Sequence, residues 1–456
     1  MEGRGMSHII SDGEKSISRR DLITRASGLA VAAVVPQAIS GSREPAWAGS
    51  AQEAFPRKHD FSIPEGITYL NGAYMHPMPN KVRDAVRDYN DRRGGFTTQT
   101  SADPDLDNRV KSEFASLINA RTSEISYIPN TTTGEILVVQ GLGIPHSGGN
   151  VVTDALHFES SIIHLQSLEK NAGLDLRIVM PREGRIDLED FNRVVDRNTR
   201  LIEISLVTMY NGFQHDLKAI CDLAHSNGAY VYADIIQAAG AVPIDVKESG
   251  VDFCACSGFK WLMGDLGLGF LYVREDLLGS VIERTQFGYR SVNRYQTHFL
   301  PYDPPGDTPF SWDLGEEASA LFETGSVAGS ARAALGAAIP YLRDIGADRI
   351  EEHRQPLLDL LRKEMPNLGF ECVTPAGTTS PIITFTMAEG AGVREQLNKA
   401  GIDISVYPNH LRFSPSIYND LTDVEWVLES LSCCLLYTSD AADDTPCVDL
   451  GGRRII

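Results

Sequence analysis

The chain has 456 residues, 42% of them hydrophobic, and a formal charge of −20 at neutral pH. That length provides for a large core divided among two or three units, while the charge argues against nucleic acid or anionic membrane as a partner. No apolar run reaches membrane-spanning length, so no stable membrane insertion is expected. None of the seven cysteines forms a C-x-x-C pair, so neither a disulfide framework nor a metal site is expected.

In chain order, SRRDLITRASGLAVAAVV joins Arg19-Arg20 to a short apolar run from Ala26 to Val35, and Ala46-Trp47-Ala48 follows in an A-x-A arrangement. This resembles a twin-arginine export signal covering residues 1–48, cleaved after Ala48. It implies the export machinery as a partner and a periplasmic or extracytoplasmic location; the alternative is an amphipathic leader on a cytoplasmic protein. Residues 55–84, with ITYLNGAYMHPMPNKVRDAV, read as a strand, a turn and the start of a helix, and His76 is a lone loop histidine with no assigned role. In YIPNTTTGEILVVQGLG a strand ends at Ile128 and a helix begins near Gly134, leaving Thr131, Thr132 and Thr133 at the helix amino terminus. Free backbone N–H groups and hydroxyls there suit a dianion, and three threonines exceed what a cap requires.

A strand at 150–153 leads to His157, and a strand at 201–207 ends in TMYNG. Leu217, Ile220, Cys221 and Ala224 keep i, i+3, i+4, i+7 spacing, with Asp216 as cap and Gly228 as stop. That helix delivers the chain by a right-handed crossover into the buried strand at 230–233, with Asp234 at its carboxyl end. A second short strand, 253–256, leads through a Ser-Gly turn to Lys260, between Phe259 and Trp261. Apolar surroundings depress a lysine's pKa. A desolvated amine beside a strand-end carboxylate is what pyridoxal phosphate requires: an amine to form a Schiff base, and an anion to keep the ring nitrogen protonated. GDLGLG makes no dinucleotide site, because it follows no strand and opens no helix.

The residues from Tyr230 to Arg274 resemble class V of the pyridoxal phosphate aminotransferases, the family that includes cysteine desulfurases and isopenicillin N epimerase-like enzymes. The matching features are AD-x-x-Q, PIDV, GVDF, the Ser-x-x-Lys turn and GDLGLGFLYVR. The resemblance implies an α/β fold type I transferase, with a large domain (85–327) built on a mostly parallel seven-stranded sheet between helices and a smaller C-terminal α+β domain (328–433). The segment 55–84 would pack on the small domain. It also implies site roles: Lys260 for the Schiff base, Asp234 for the ring nitrogen, His157 stacked on the ring, and Gln237 at the phenolic oxygen. Thr132, Thr133 and Ser257 would meet the phosphate. Asn211 stands two places beyond Met209, which occupies the strict position of a further family contact. Phe259 replaces the histidine usual before the lysine, which removes one contact.

Residues 286–314 show little periodicity and read as a long loop, the kind that is usually functional, with Tyr289 and Arg290 as unassigned candidates. FETGSVA resembles the family segment whose hydroxyl residue, here Ser326, reaches the partner's phosphate, implying a homodimer with shared sites. Leu335, Ala338, Ile339 and Leu342 define a long amphipathic helix. Strands are expected at 370–373, 382–385, 402–406 and 411–413, with helices at 393–399 and 424–431. Arg412, in HLRFSPSIYN, matches the arginine that grips the substrate's α-carboxylate, a planar group suited to a guanidinium. Residues 434–456 resemble a translated sequencing adapter, so the authentic chain is expected to end near Cys433.

These parts imply an enzyme acting at the α-carbon of an amino acid or amine, with Lys260 as general base. Transamination is the first expectation; β-elimination, including C–S lysis, and epimerisation are alternatives, and a non-catalytic binding protein is a further one. Cysteine desulfuration is disfavoured, because the loop VYPNH before the Arg412 strand lacks a nucleophilic cysteine.

Overall fold

A computed structural model describes residues 54–95, 105–387 and 391–439. The expected export signal and most of the adapter-like tail lie outside these residues. Among the described residues no helix is long and apolar enough to cross a membrane. A first short strand, β1 (Thr68–Tyr69), precedes the main sheet, whose strands are β2 (Ile125–Ile128), β3 (Asn150–Asp154), β4 (Asp175–Val179), β5 (Thr199–Ser205), β6 (Tyr230–Asp234), β7 (Phe253–Ser257) and β8 (Gly269–Val273). Their order is β2-β8-β7-β6-β5-β3-β4, and only the pairings made by β8 are antiparallel.

Side chains alternate across a strand, and here both faces are covered. Val231, Ala233, Cys254, Cys256, Phe270 and Tyr272 belong to one apolar cluster; Tyr232, Phe253, Ala255, Leu271 and Val273 belong to another on the opposite face. Helices Leu106–Leu117, Leu217–Asn227 and Gly329–Ile345 cover the first face, and Thr131–Gly141 and Glu159–Ala172 cover the second. Double burial explains why these strands are continuous apolar runs. Helix Thr131–Gly141 approaches the sheet closely at Gly134, where a Cβ would lie 2.8 Å from Ile128 Cδ1 and 2.9 Å from Ala255 Cβ.

Beyond the sheet, β9 (Val292–Thr297) and β10 (Phe310–Leu314) form an antiparallel hairpin with Tyr295 opposite Trp312. This corrects the reading of 286–314 as a loop. All of β10 is exposed, so there is no buried face to impose apolar alternation on the sequence. The C-terminal part holds β11 (Ile383–Thr386), β12 (Ile402–Asp403), β13 (Ser405–Val406) and β14 (His410–Phe413), with β11-β14-β13 as an antiparallel sheet. Its own core gathers Leu357, Leu361, Phe385, Phe413, Val424 and Val427. Strand β1 pairs in parallel with β12, tying the N-terminal segment to this part. The strand expected at 370–373 is only an isolated bridge, Cys372 to Phe385, and the last helix runs from Leu421 to Ser439, past its expected end.

Phe270 on β8 stacks on Phe114 with ring centroids 4.0 Å apart, and both are essentially inaccessible. Phe270→Ala is expected to cost about 3–5 kcal/mol, read as a lower denaturant midpoint with an unchanged m-value.

Candidate active site

Adjacent strands β3, β5, β6 and β7 end in Asp154, Ser205, Asp234 and Ser257, so these side chains gather at the carboxyl edge of the sheet, where open α/β sheets bind ligands. The turn after β7 is tightly built. A Cβ at Gly258 would lie 2.9 Å from Leu335 Cδ2 and 3.0 Å from the Leu268 carbonyl oxygen. Met263 closes the turn with its N–H on the Lys260 carbonyl at 2.7 Å, at a φ of 56° that side chains rarely adopt. Such strain persists only where the surroundings over-determine it.

Burial pulls the Lys260 ammonium below the usual lysine range; the charge of Arg412 acts the same way, and Asp234 opposes it. Asp234 is 3% exposed, and burial pushes its carboxyl up, against a hydrogen bond from Ile236 N–H at 2.8 Å and the charge of Lys260. A cationic ring nitrogen beside Asp234 would restore its ionised form.

His157 is fully buried, with Nδ1 2.8 Å from Ser205 Oγ and no partner for Nε2 among the described residues. Desolvation lowers its pKa, so the ring is neutral at pH 7. Beneath it lie two carboxyls that sequence reasoning missed. Ligand atoms of Glu135, His157 and Glu203 fall within 4.8 Å of one another. Glu135 accepts from Ser161 Oγ, and its Oε1 is 2.9 Å from His164 Nδ1. Both Glu203 oxygens lack a partner among the described residues, and burial, reinforced by Glu135, favours its neutral acid. No periodicity marks these positions; Glu135 closes the TTTGE run, and nothing local marks Glu203.

At the threonine run, Asn130 is the N-cap: its Oδ1 accepts from Thr133 N–H at 2.9 Å and from Thr133 Oγ1 at 3.1 Å. Thr131 is tied to Ser257, its N–H 3.1 Å and its Oγ1 3.0 Å from Ser257 Oγ. Half-buried Thr132 sits in the first turn, where backbone N–H groups have no intrahelical acceptor. The structure thus joins Ser257 to Thr131, the first of the run, while Thr133 is engaged by Asn130. Gln237 is held by Trp261, whose Nε1–H donates to Oε1 at 2.9 Å, and by the Ala73 carbonyl, which accepts from Nε2 at 3.0 Å. Asn211 serves its own turn, accepting from Thr208 Oγ1 and Phe213 N–H and donating to the Gly184 carbonyl.

Arg412 is 2% exposed and has no acidic partner among the described residues. Its Nη1 donates to the Met209 carbonyl and its Nη2 to Ser405 Oγ, both at 3.0 Å, while Nε is unpartnered. Ser405 stands opposite Arg412 across β13–β14, a register invisible in sequence. An ionised guanidinium buried without a carboxylate is costly, so the site calls for an anion. Arg290, by contrast, is engaged by Asp107 and Glu323. Tyr289 meets exposed Ser326, Oη to Oγ 2.9 Å. His76 is a packed residue between the Pro77 carbonyl and Ser416 Oγ, pulled down to about 4 by burial.

The donor set suits a ligand with a phosphate at the helix terminus, an aldehyde at Lys260 Nζ and a basic ring nitrogen at Asp234. The Aminotransferase class-V profile matches residues 69–425. The chain belongs to that family. Its cofactor is pyridoxal phosphate. The chain is 28% identical over 338 residues to a probable cysteine desulfurase of Methanothermobacter thermautotrophicus, covering 72% of this chain and 80% of the relative. A cysteine desulfurase from Thermococcus onnurineus NA1 has a similar fold, with TM-score 0.75 and 22% identity over 85% of this chain and all of the other. So does the cystine C–S lyase C-DES, solved with its product cysteine persulfide, with TM-score 0.69 and 22% identity over 81% of this chain and 98% of that one. Together they confirm the fold type I expectation.

The same relatives overturn the expectation that cysteine desulfuration is disfavoured, since they are named for that activity. The physical reason is that a loop cysteine bears on where sulfur goes after release. The step common to these reactions, proton removal at the α-carbon, calls for a desolvated amine beside a buried carboxylate, and Lys260 and Asp234 provide that pair.

Because reaction with an aldehyde needs the neutral amine and the Lys260 pKa is depressed, association of pyridoxal phosphate with the apoprotein should speed up with rising pH. It should level off well below the ordinary lysine value of about 10.4. Stopped-flow absorbance measures this, and a rate still climbing at that pH would contradict the desolvated amine.

Proposed function

We propose that the chain cleaves the C–S bond of cysteine or a cysteine derivative. The observation that carries this reading is that a site built for an α-amino acid belongs to a chain whose relatives are named cysteine desulfurases. The bound cofactor supplies the carbonyl that captures the substrate amine and the ring that takes up electrons from the α-carbon. The remaining work falls to this chain. Arg412 receives the α-carboxylate through the donors left after Met209 and Ser405 are served. Lys260 Nζ, with its pKa lowered, takes the α-proton as general base. Asp234 holds negative charge at the edge of the sheet. Neutral His157, fixed by Ser205, covers the site and excludes water from it.

Among the described side chains, Cys221, Cys254 and Cys256 are buried, and desolvation pushes their thiols up, as it does that of Cys372. None of these four thiols suits a sulfur acceptor, so in this proposal sulfur leaves as the β-substituent or passes to an external thiol. Exposed Ser326 belongs, in this proposal, to a neighbouring copy's phosphate site, which makes the working form a homodimer; light scattering of the holoprotein checks it.

The holoprotein given L-cysteine should release sulfide, with pyruvate and ammonia as the other products, or give alanine where a thiol acceptor takes the sulfur. Keto acid consumption without sulfur release would overturn the proposal. Lys260→Ala should abolish both the bound chromophore and turnover. Arg412→Ala should lower kcat/KM for cysteine by roughly 100-fold, mostly through KM. Arg412→Lys should not restore it, because an ammonium cannot pair bidentately with a carboxylate.

A further inference from the structure

A cavity of about 520 Å³ adjoins the carboxylate clamp, and its wall includes Asn71, Tyr74, Arg394, Asp403, Ser405 and Tyr407. Two connections place it beside the reacting centre. On one side, Ser405 Oγ accepts from Arg412 Nη2 at 3.0 Å, and the Arg412 guanidinium lies 5.9 Å from the centre of the Tyr407 ring. On the other, Asn71 and Tyr74 flank Ala73, whose carbonyl holds Gln237, and His76 N–H in the same segment meets the Phe259 carbonyl at 3.3 Å. The cavity therefore lies between the arginine that takes the α-carboxylate and the segment packed on the lysine's turn.

Its charges come as an opposed pair. Asn71 Nδ2 donates to Asp403 Oδ1 at 3.0 Å, and Ser405 Oγ to Asn71 Oδ1 at 2.7 Å, so a hydrogen-bonded chain runs from the clamp to the Asp403 carboxylate. Arg394 is pinned to the wall through the Val406 carbonyl. Among the described residues neither Asp403 nor Arg394 forms a salt bridge, and both are exposed. A carboxylate and a guanidinium facing one cavity, beyond the groups that hold the reacting amino acid, complement an ammonium and a carboxylate on a single ligand. Cysteine alone, with a bare thiol at its β-carbon, offers neither of them an ionic partner.

We propose that this cavity is a subsite for a second amino-acid head group, so that the substrate is a disulfide or thioether amino acid of the cystine type. The inference rests on the C–S cleavage reading and specifies its substrate class. With L-cystine the reaction balances without an oxidant: cystine and water give cysteine persulfide, pyruvate and ammonia. Lys260 Nζ takes the α-proton, the β-carbon–sulfur bond breaks with its electron pair leaving on sulfur, and water supplies the pyruvate oxygen. Asp403 and Arg394 hold the departing half by its ammonium and carboxylate.

The test uses the holoprotein with L-cystine and with the mixed disulfide of cysteine and methanethiol, which keeps the reacting bond but lacks the second head group. Wild type should favour cystine by roughly tenfold in kcat/KM, expressed in KM, and Asp403→Asn or Arg394→Gln should each remove that preference. Cleavage of the headless disulfide should change by less than about twofold in Arg394→Gln, since Arg394 makes no hydrogen bond to the clamp. Equal wild-type activity on both disulfides, or an equal loss on both in the variants, would overturn the subsite and leave C–S cleavage standing. Failure to release sulfur from cysteine and from either disulfide would overturn both.

Discussion

Holding ionisable groups out of water at the carboxyl edge of the main sheet is the constraint on which the rest of the structure depends. Asp234, Lys260 and Arg412 are all largely buried, and each is shifted chiefly by desolvation. Burying such charges costs several kcal/mol apiece unless partners are supplied. Here the partners are mostly dipoles: the Ile236 N–H for Asp234, a carbonyl and a hydroxyl for Arg412. A rigid, doubly covered sheet can fix dipoles in this way, and the imbalance left over is the driving force for binding a cofactor and a carboxylate.

The C-terminal part contributes by bringing Arg412 to an edge built by other strands. The contacts run through the TMYNG turn. Met209 offers its carbonyl to Arg412, Tyr210 accepts from Thr384 Oγ1 at 2.9 Å, and Gly212 accepts from Thr378 Oγ1 at 3.1 Å. Asn211 secures the turn against Gly184 and Val373. The turn thus joins the two sheets, and the backbone rather than a side chain carries its contribution to the site.

Legibility in the sequence follows from how local each signal is. β6 and β7 are continuous apolar runs because both faces are buried, so their ends, and with them Asp234 and Lys260, can be read directly. The helix at Leu217–Asn227 shows its cap and its left-handed glycine stop in the chain. The exposed β9–β10 hairpin lacks a buried face and gives no such signal. Ser205, Glu203 and Ser405 are illegible for another reason: each acts through a neighbour distant in sequence, and nothing local distinguishes them from ordinary polar residues. Asn130 is an intermediate case, since capping needs a single acceptor and the threonine run beside it drew attention from the residue that does it.

The VYPNH loop, which lacks a cysteine, constrains less of the chemistry than its position suggests. Proton removal at the α-carbon is common to several reactions, and the residues proposed to serve it, Lys260, Asp234 and Arg412, are indifferent to which one follows. The outcome is decided at the β-carbon, by what leaves and what receives it. A missing thiol in one loop constrains only the receiver. In the proposed reading what leaves is constrained by the space beside the clamp, and there Ser405 binds Arg412 on one side and the Asn71–Asp403 pair on the other. The same hydroxyl that orients the guanidinium is thus the first link to the cavity wall, so under that proposal the carboxylate grip and the space for the leaving group adjoin at Ser405.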